Sequence, residues 1–316
     1  MSGPSVLTIG EGLGVLRTRE LGSLAQVPDL MVGTGGAEGN VAIGLARLDV
    51  SVTWLGRVGD DGLGRRVVRE LRAEGVNVVA PVDDEAPTGL LIKERPTGGR
   101  TTITYHRAGS AGSRIRPSDL NAVDFSSFSL LHLTGITPAL SPSARETVRV
   151  AVDRAREAAV PISFDVNHRS SVWLGEDPAA VYRELVSAAQ IVFAGDDEAG
   201  LVAPESTSDP LERAAAIALL GPRDVVIKLG EHGAVAFVDG QATRRDAVPV
   251  TVVDTVGAGD AFVAGYLAEW VRGRPVADRL ELAVRTGAAV CGHPGDWEGF
   301  PTRAELEADC SDPVRR

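Results

Sequence analysis

Short apolar runs recur along the chain with longer amphipathic stretches between them. Val6 to Ile9, Ser51 to Val58, Leu130 to Leu133, Pro161 to Phe164, Ile191 to Phe193 and Val225 to Leu229 read as strands. Asn40 to Leu48 reads as a helix. So does Leu63 to Ala73, which is stopped by Gly75, and so does Ser141 to Ala158, with Ser141 as N-cap and Pro142 at the first helical position. Two more helices follow, near 259–272 and 276–291. This alternation predicts an α/β fold, a mainly parallel sheet with helices on both faces. Thr88 to Glu94 and Arg100 to Arg107 break the rhythm. They read as a β-hairpin turning at Arg95-Pro96-Thr97-Gly98-Gly99, an excursion from one domain that spans 1–316. Gly233 to Asp239 and Ala242 to Val248 form a second strand pair, turning at Asp239-Gly240.

Of the 316 residues, 44% are hydrophobic and only 4% aromatic, so Leu, Val and Ala must supply most of the packing. A net charge of -11 argues against nucleic-acid or membrane-surface partners. An anionic ligand must then be held by local cations and backbone N–H groups. Cys291 and Cys310 make no disulfide framework and no CxxC motif, which fits a reduced, cytoplasmic setting. No stretch reads as a signal peptide or a membrane span, and the five histidines lack metal-ligand spacing.

The strongest local signal is Asp254-Thr255-Val256-Gly257-Ala258-Gly259-Asp260, small residues leading from a β-branched run into a helix. The N–H groups of Gly257, Ala258 and Gly259 can converge on an anion at the helix N-terminus, where the dipole favours negative charge. Asp260, in the first turn, reads either as a helix cap or as a base that takes a proton from an attacking hydroxyl. The second signal is Gly35-Gly36-Ala37-Glu38-Gly39-Asn40, followed by Gly56-Arg57-Val58-Gly59-Asp60. It reads as a tight turn with Asn40 as N-cap, or as glycines that let a small polyol approach while Asn40 bonds its hydroxyls. There is no GxxxxGK[ST], and Gly10, Gly12 and Gly14 miss the GxGxxG spacing.

Together, and in this order, the two segments resemble the signature regions of the ribokinase-like (PfkB) carbohydrate kinases. Lys228-Leu229-Gly230-Glu231-His232-Gly233 resembles the family's nucleotide-side turn, and Asp197-Glu198 its acidic magnesium-linked motif. The resemblance implies a three-layer α/β/α fold and a small β lid built from about 12–35 and 88–107. It makes Asp260 the catalytic base and assigns nucleotide binding to Lys228, Gly230, Gly233, Gly257 and Gly259. ATP and Mg2+ are implied, the metal near Glu198, and with them a monovalent cation such as K+ near Asp254. Tyr105-His106-Arg107, Phe164-Asp165-Val166-Asn167-His168-Arg169 and Gly295-Asp296-Trp297-Glu298 resemble 2-keto-3-deoxygluconate kinases in particular. On that resemblance Gly35, Gly36, Asn40, Tyr105, Arg107, Arg169 and Asp296 contact the sugar. Arg107 and Arg169 suit a substrate carboxylate, since guanidinium groups form charge-assisted pairs with carboxylates; otherwise they are ordinary ion-pairing residues, and Tyr105 a cross-strand packing residue.

The expected reaction is ATP-dependent phosphorylation of a primary hydroxyl, the 6-OH, of a keto-deoxy sugar acid. Expected alongside it is a homo-oligomer assembled through the lid. Three departures stand out. Leu91 replaces a tyrosine often found near the sugar, Asp49 a glycine, and Gly195 an asparagine of the acidic motif. The alternatives are a kinase for a neutral sugar of the fructose or ribose type, and a non-catalytic sugar sensor.

Overall fold

The computed structural model describes residues 3–20, 22–94, 101–203 and 208–311. The turn expected at 95–99 and the Cys310 side chain lie outside the described residues. Among the described residues, nine strands form the large sheet. In spatial order they are Gln241–Arg245, Ala234–Val238, Asp224–Lys228, Ile191–Gly195, Ile162–Asp165, Leu130–Thr134, Ser5–Ile9, Ser51–Leu55 and Asn77–Val79. Every pair from Asn77–Val79 to Asp224–Lys228 is parallel, and the last two strands add as an antiparallel hairpin. That hairpin turns where expected, with Asp239 and Gly240 both at positive φ (48° and 81°), as a type I′ turn needs.

Alternate residues of each strand bury on opposite faces, and the two faces form separate cores. Val6, Val52, Trp54, Leu130, Phe193 and Val226 pack under the helices Ala37–Arg47, Ala258–Trp270 and Val276–Cys291. Leu7, Leu55, Leu131, Phe164, Val192 and Val225 pack under Pro142–Glu157, Ala179–Ala188 and Pro210–Ala218. This is the three-layer α/β/α arrangement, with a parallel sheet buried on both sides. Ser141 caps its helix as expected, its hydroxyl accepting from the Ala144 N–H at 3.0 Å. The first helix starts earlier than the apolar periodicity suggests, at Ala37 with Gly36 as N-cap, so Asn40 is a helical residue and not the cap.

A second, four-stranded sheet has the order Leu30–Gly35, Leu13–Thr18, Gly89–Glu94, Thr102–His106. Its strands come from the two segments the sequence reserves for the lid. One face carries the small cluster Leu13, Val15 and Leu91 with Ile103 and Tyr105. On the other, Val32, Leu16 and Ile92 stand side by side across three strands, with Val32 42% exposed.

Candidate active site

In open parallel sheets, ligand groups gather at the carboxyl ends of the strands, where loops and helix N-termini converge. Asp165 ends one strand here, Gly195 the next and Lys228 the one after. The loop from Asp254 to Gly257 brings the helix Ala258–Trp270 to the same edge. Gly257 begins that helix at φ 79°, and a Cβ there would collide with the carbonyl of Asp296, so only glycine lets the loop turn so close to that segment. The Ala258 N–H is partly spent inside the turn, on Thr255 O at 3.3 Å.

Asp260 sits in the first turn of this helix but does not cap it, since Gly257 is the N-cap and has no side-chain bond. Its carboxylate instead accepts from Asn40 Nδ2 at 2.8 Å and from Asn167 Nδ2 at 3.4 Å. The two glycine-rich signatures, 220 residues apart in sequence, therefore meet at this carboxylate. Burial pushes the Asp260 carboxyl up to about 7, against the opposing pull of the Asn40 bond; Asp165 raises it further, while Arg169 and Lys228 lower it. A carboxylate titrating near neutrality is suited to accept a proton at ordinary pH.

Lys228 lies beside the cradle: a Cβ on Gly259 would stand 3.7 Å from its Nζ. Its ammonium donates to both oxygens of Asp165, at 2.8 and 2.9 Å. Asp165 is 1% exposed, and burial raises its pKa while Lys228 opposes the rise. Asp165 and Asn167 also belong to this cluster, although the local sequence assigns neither a role. Their signal was an Asp-x-Asn at the end of a parallel strand. Glu38, from the first signature, is buried under the site and accepts from Thr134 Oγ1 (2.6 Å) and Thr137 Oγ1 (2.7 Å).

Other expected residues find different partners. Arg107 is not free, because its Nε and one terminal nitrogen hold Glu11, Nε at 2.8 Å, and its guanidinium lies over the Tyr105 ring at 5.0 Å. Tyr105 pairs across strands with Leu91, which occupies the position where a tyrosine was expected. Arg169 is exposed, donates to the His168 carbonyl at 3.0 Å, and acts electrostatically on Asp260. Gly36, at φ 131°, lies where a Cβ would strike the Glu11 carbonyl, and Gly35 lies against Val15 and the Asp296 carboxylate. Asp296 is 6% exposed, with one oxygen accepting from Lys93 Nζ at 3.1 Å and the other beside Gly35.

Gly230 sits in a short 3-10 turn, bordering a cavity of ≈ 510 Å³ that Lys228, Leu229, His232 and Asp197 also line. Gly233 closes this turn at φ 84°, where a Cβ would strike the Arg245 carbonyl. Glu198 spends both oxygens on backbone N–H groups, of Gly195 at 2.6 Å and His168 at 2.8 Å. Among the described residues no three His, Cys, Asp or Glu side chains gather to hold a metal. Each Glu198 oxygen accepts only one N–H and keeps a lone pair, so the residues fit magnesium in the way phosphate sites do, with one ligand from this carboxylate and most of the shell supplied by phosphate and water. An alkali cation at Asp254 does not fit because of charge: the Lys93 ammonium already stands at one oxygen, 2.9 Å away, while the other accepts the Val256 N–H at 3.2 Å. No helix among the described residues is long and apolar enough to cross a membrane.

Residues 4–303 match the model of the pfkB family carbohydrate kinases. The chain is 36% identical over 312 residues to the 2-dehydro-3-deoxygluconokinase of Bacillus subtilis (strain 168), covering 95% of this chain and 93% of that protein. Its structure is similar to that of a PfkB protein from Polaromonas sp. JS666, with a TM-score of 0.87, 32% identity, and coverage of 97% of this chain and 100% of that one. It is also similar to a fructokinase double mutant from Vibrio cholerae O395 in fructose-, ADP- and potassium-bound form, with a TM-score of 0.84, 26% identity, and coverage of 97% and 98%. A match over almost the whole length thus joins a site in which a glycine-led helix N-terminus stands beside an uncapping carboxylate, and on both grounds the chain belongs to the pfkB family of carbohydrate kinases and is a phosphotransferase acting on a sugar.

Proposed function

We propose that this kinase transfers the γ-phosphoryl group of ATP to the primary 6-OH of a keto-deoxy sugar acid such as 2-keto-3-deoxygluconate, within one kinase domain spanning 1–316. The observation that carries the chemistry is Asp260, whose carboxylate is held by Asn40 and Asn167, not spent on the helix, and pushed up to about 7. ATP bound with Mg2+ supplies the phosphoryl group. The hydroxyl proton passes to Asp260 as the bond from sugar oxygen to phosphorus forms and the bond from phosphorus to the ADP oxygen breaks. The helix N-terminus at Gly257 and Gly259, with Lys228 beside it, stabilises charge on the transferring group. The four-stranded sheet acts as the lid that keeps water from the reaction.

The choice of a sugar acid is supported by the Bacillus subtilis relative's activity and by Arg169, an exposed guanidinium in electrostatic reach of Asp260. A substrate carboxylate would have to share Arg107 with Glu11. The test is an ADP-release screen over keto-deoxy sugar acids, fructose and ribose, in which the acid is expected to turn over fastest. Arg169→Ala is expected to raise KM for the acid by about tenfold, the loss of one charged hydrogen bond, and to leave KM for ATP unchanged. Equal losses on acid and neutral sugars would assign Arg169 a structural role, and faster fructose or ribose turnover would replace the substrate.

The row Val32, Leu16 and Ile92 gives the lid an apolar outer face, and a second copy of the lid would cover it. Light scattering is expected to show a dimer, and Val32→Glu is expected to shift it toward monomer. A strict wild-type monomer at micromolar concentration would dispose of the lid interface.

A further inference from the structure

Lys93 is 2% exposed, on the small-sheet strand Gly89–Glu94, and its ammonium joins two carboxylates remote in sequence: Asp254 at 2.9 Å and Asp296 at 3.1 Å. Both carboxylates flank the phosphate loop. Asp254 heads the segment that runs to Asp260 and holds it through the Val256 N–H, and the Asp296 backbone packs against Gly257. A buried Asp296 and a half-buried Asp254 joined at one ammonium need that counter-charge, because withdrawing unpaired charge from water is costly. The family resemblance implies a monovalent cation such as K+ near Asp254, and the similar Vibrio cholerae fructokinase was solved in a potassium-bound form. In this chain the Asp254 oxygens are already taken by an ammonium and an amide, and a cation arriving beside the ammonium would meet like charge.

We infer that the Lys93 ammonium takes the place of an activating monovalent cation, neutralising Asp254 and Asp296 and fixing the loop that leads to Asp260, so that phosphoryl transfer needs no alkali ion. Lys93 is then a positioning residue for the loop. Because it sits on a lid strand, the same ammonium also ties the lid to the loop.

The inference rests on the phosphoryl-transfer reading of the loop but not on the identity of the sugar, so one measurement is made without substrate. Melting curves of the wild type in potassium, sodium and tetramethylammonium chloride, at matched ionic strength, are expected to coincide. Lys93→Met is expected to melt lower in tetramethylammonium and to be raised by potassium or ammonium, while Lys93→Arg stays indifferent to the salt. With the best sugar, wild-type turnover is expected to stay within about twofold across the salts, and Lys93→Met to fall roughly tenfold and recover in potassium or ammonium. Potassium-specific stabilisation or activation of the wild type would overturn the inference, and this arm decides alone if Lys93→Met does not fold. A folded Lys93→Met enzyme with full turnover in every salt would overturn it as well. So would a loss that neither the ions nor Lys93→Arg restores, since Lys93 would then matter only for packing.

Discussion

Replacing Asp260 with asparagine is expected to lower kcat by about 10²- to 10⁴-fold, the usual contribution of a general base. The substitution preserves shape and an acceptor for Asn40 but removes basicity. A capping role would predict the opposite, because asparagine caps helices as well as aspartate; in the structure the side chain makes no cap. The pH dependence follows from the same carboxyl. With its pKa raised from 3.8 to about 7, Asp260 is protonated, and unable to act as base, on the acid side, so kcat/KM is expected to rise with pH up to that value. The effect on stability has the opposite sign. Between the unfolded value near 4 and the folded value near 7, the folded chain binds the proton more tightly than the unfolded one, so this residue's contribution to stability falls as pH rises through that window. Asp260→Asn should therefore melt no lower than the wild type at pH 8, and higher if nothing else changes, with the difference fading toward pH 4. Activity, pH profile and melting curve measured on one preparation check all three statements. A folded variant with near wild-type kcat would end the general-base assignment.

Lys228→Met is expected to produce the next largest change, in both stability and rate. Lys228 is the ion partner of Asp165, which is almost wholly buried, and removing one member of a buried pair costs about 3–5 kcal/mol because the other charge is left stranded. Urea denaturation should report that loss. Asp165→Asn in the same chain should recover much of it, since no carboxylate then needs a partner. The rate should fall as well, because the ammonium stands beside Gly259 at the cradle. Lys228 also helps to hold the Asp260 pKa down, so the acid limb of kcat/KM should move to higher pH in Lys228→Met. A variant as stable as the wild type, with an unmoved acid limb, would show that the pair matters neither to the fold nor to the base.

Some parts of this protein could be read directly from its chain. Strand and helix periodicity, the Ser141-Pro142 start and the Asp239-Gly240 turn are local signals; the last two appear where they were expected, while the first helix begins at Ala37 and not at Asn40. Asp49, standing where the family usually has glycine, adopts φ 59°, which explains why glycine is the common choice at that turn. The lid strands were harder to place, because Leu13–Thr18 and Leu30–Gly35 are rich in glycine and weakly periodic, and their apolar face becomes evident only when four strands lie side by side. The resemblance singled out Asp260, and local chemistry offered both of its roles; what sets capping aside is that Gly257 is the N-cap and that Asn40 and Asn167 reach the carboxylate from other elements.

Ion pairing was least legible. A charged side chain looks the same in sequence whether it faces a ligand, solvent or a buried partner. Arg107 reads in sequence either as a carboxylate ligand or as an ion-pairing residue, and only the fold shows Glu11 as its partner, just as only the fold joins Asp254 and Asp296 through Lys93, 161 and 203 residues away. What the sequence by itself determined was the alternation of elements and the glycine cradle, because backbone preferences and hydrophobic period act over a few residues. What only the tertiary structure decided was which charges neutralise one another, because that depends on distances of about 3 Å between segments that the chain order keeps far apart.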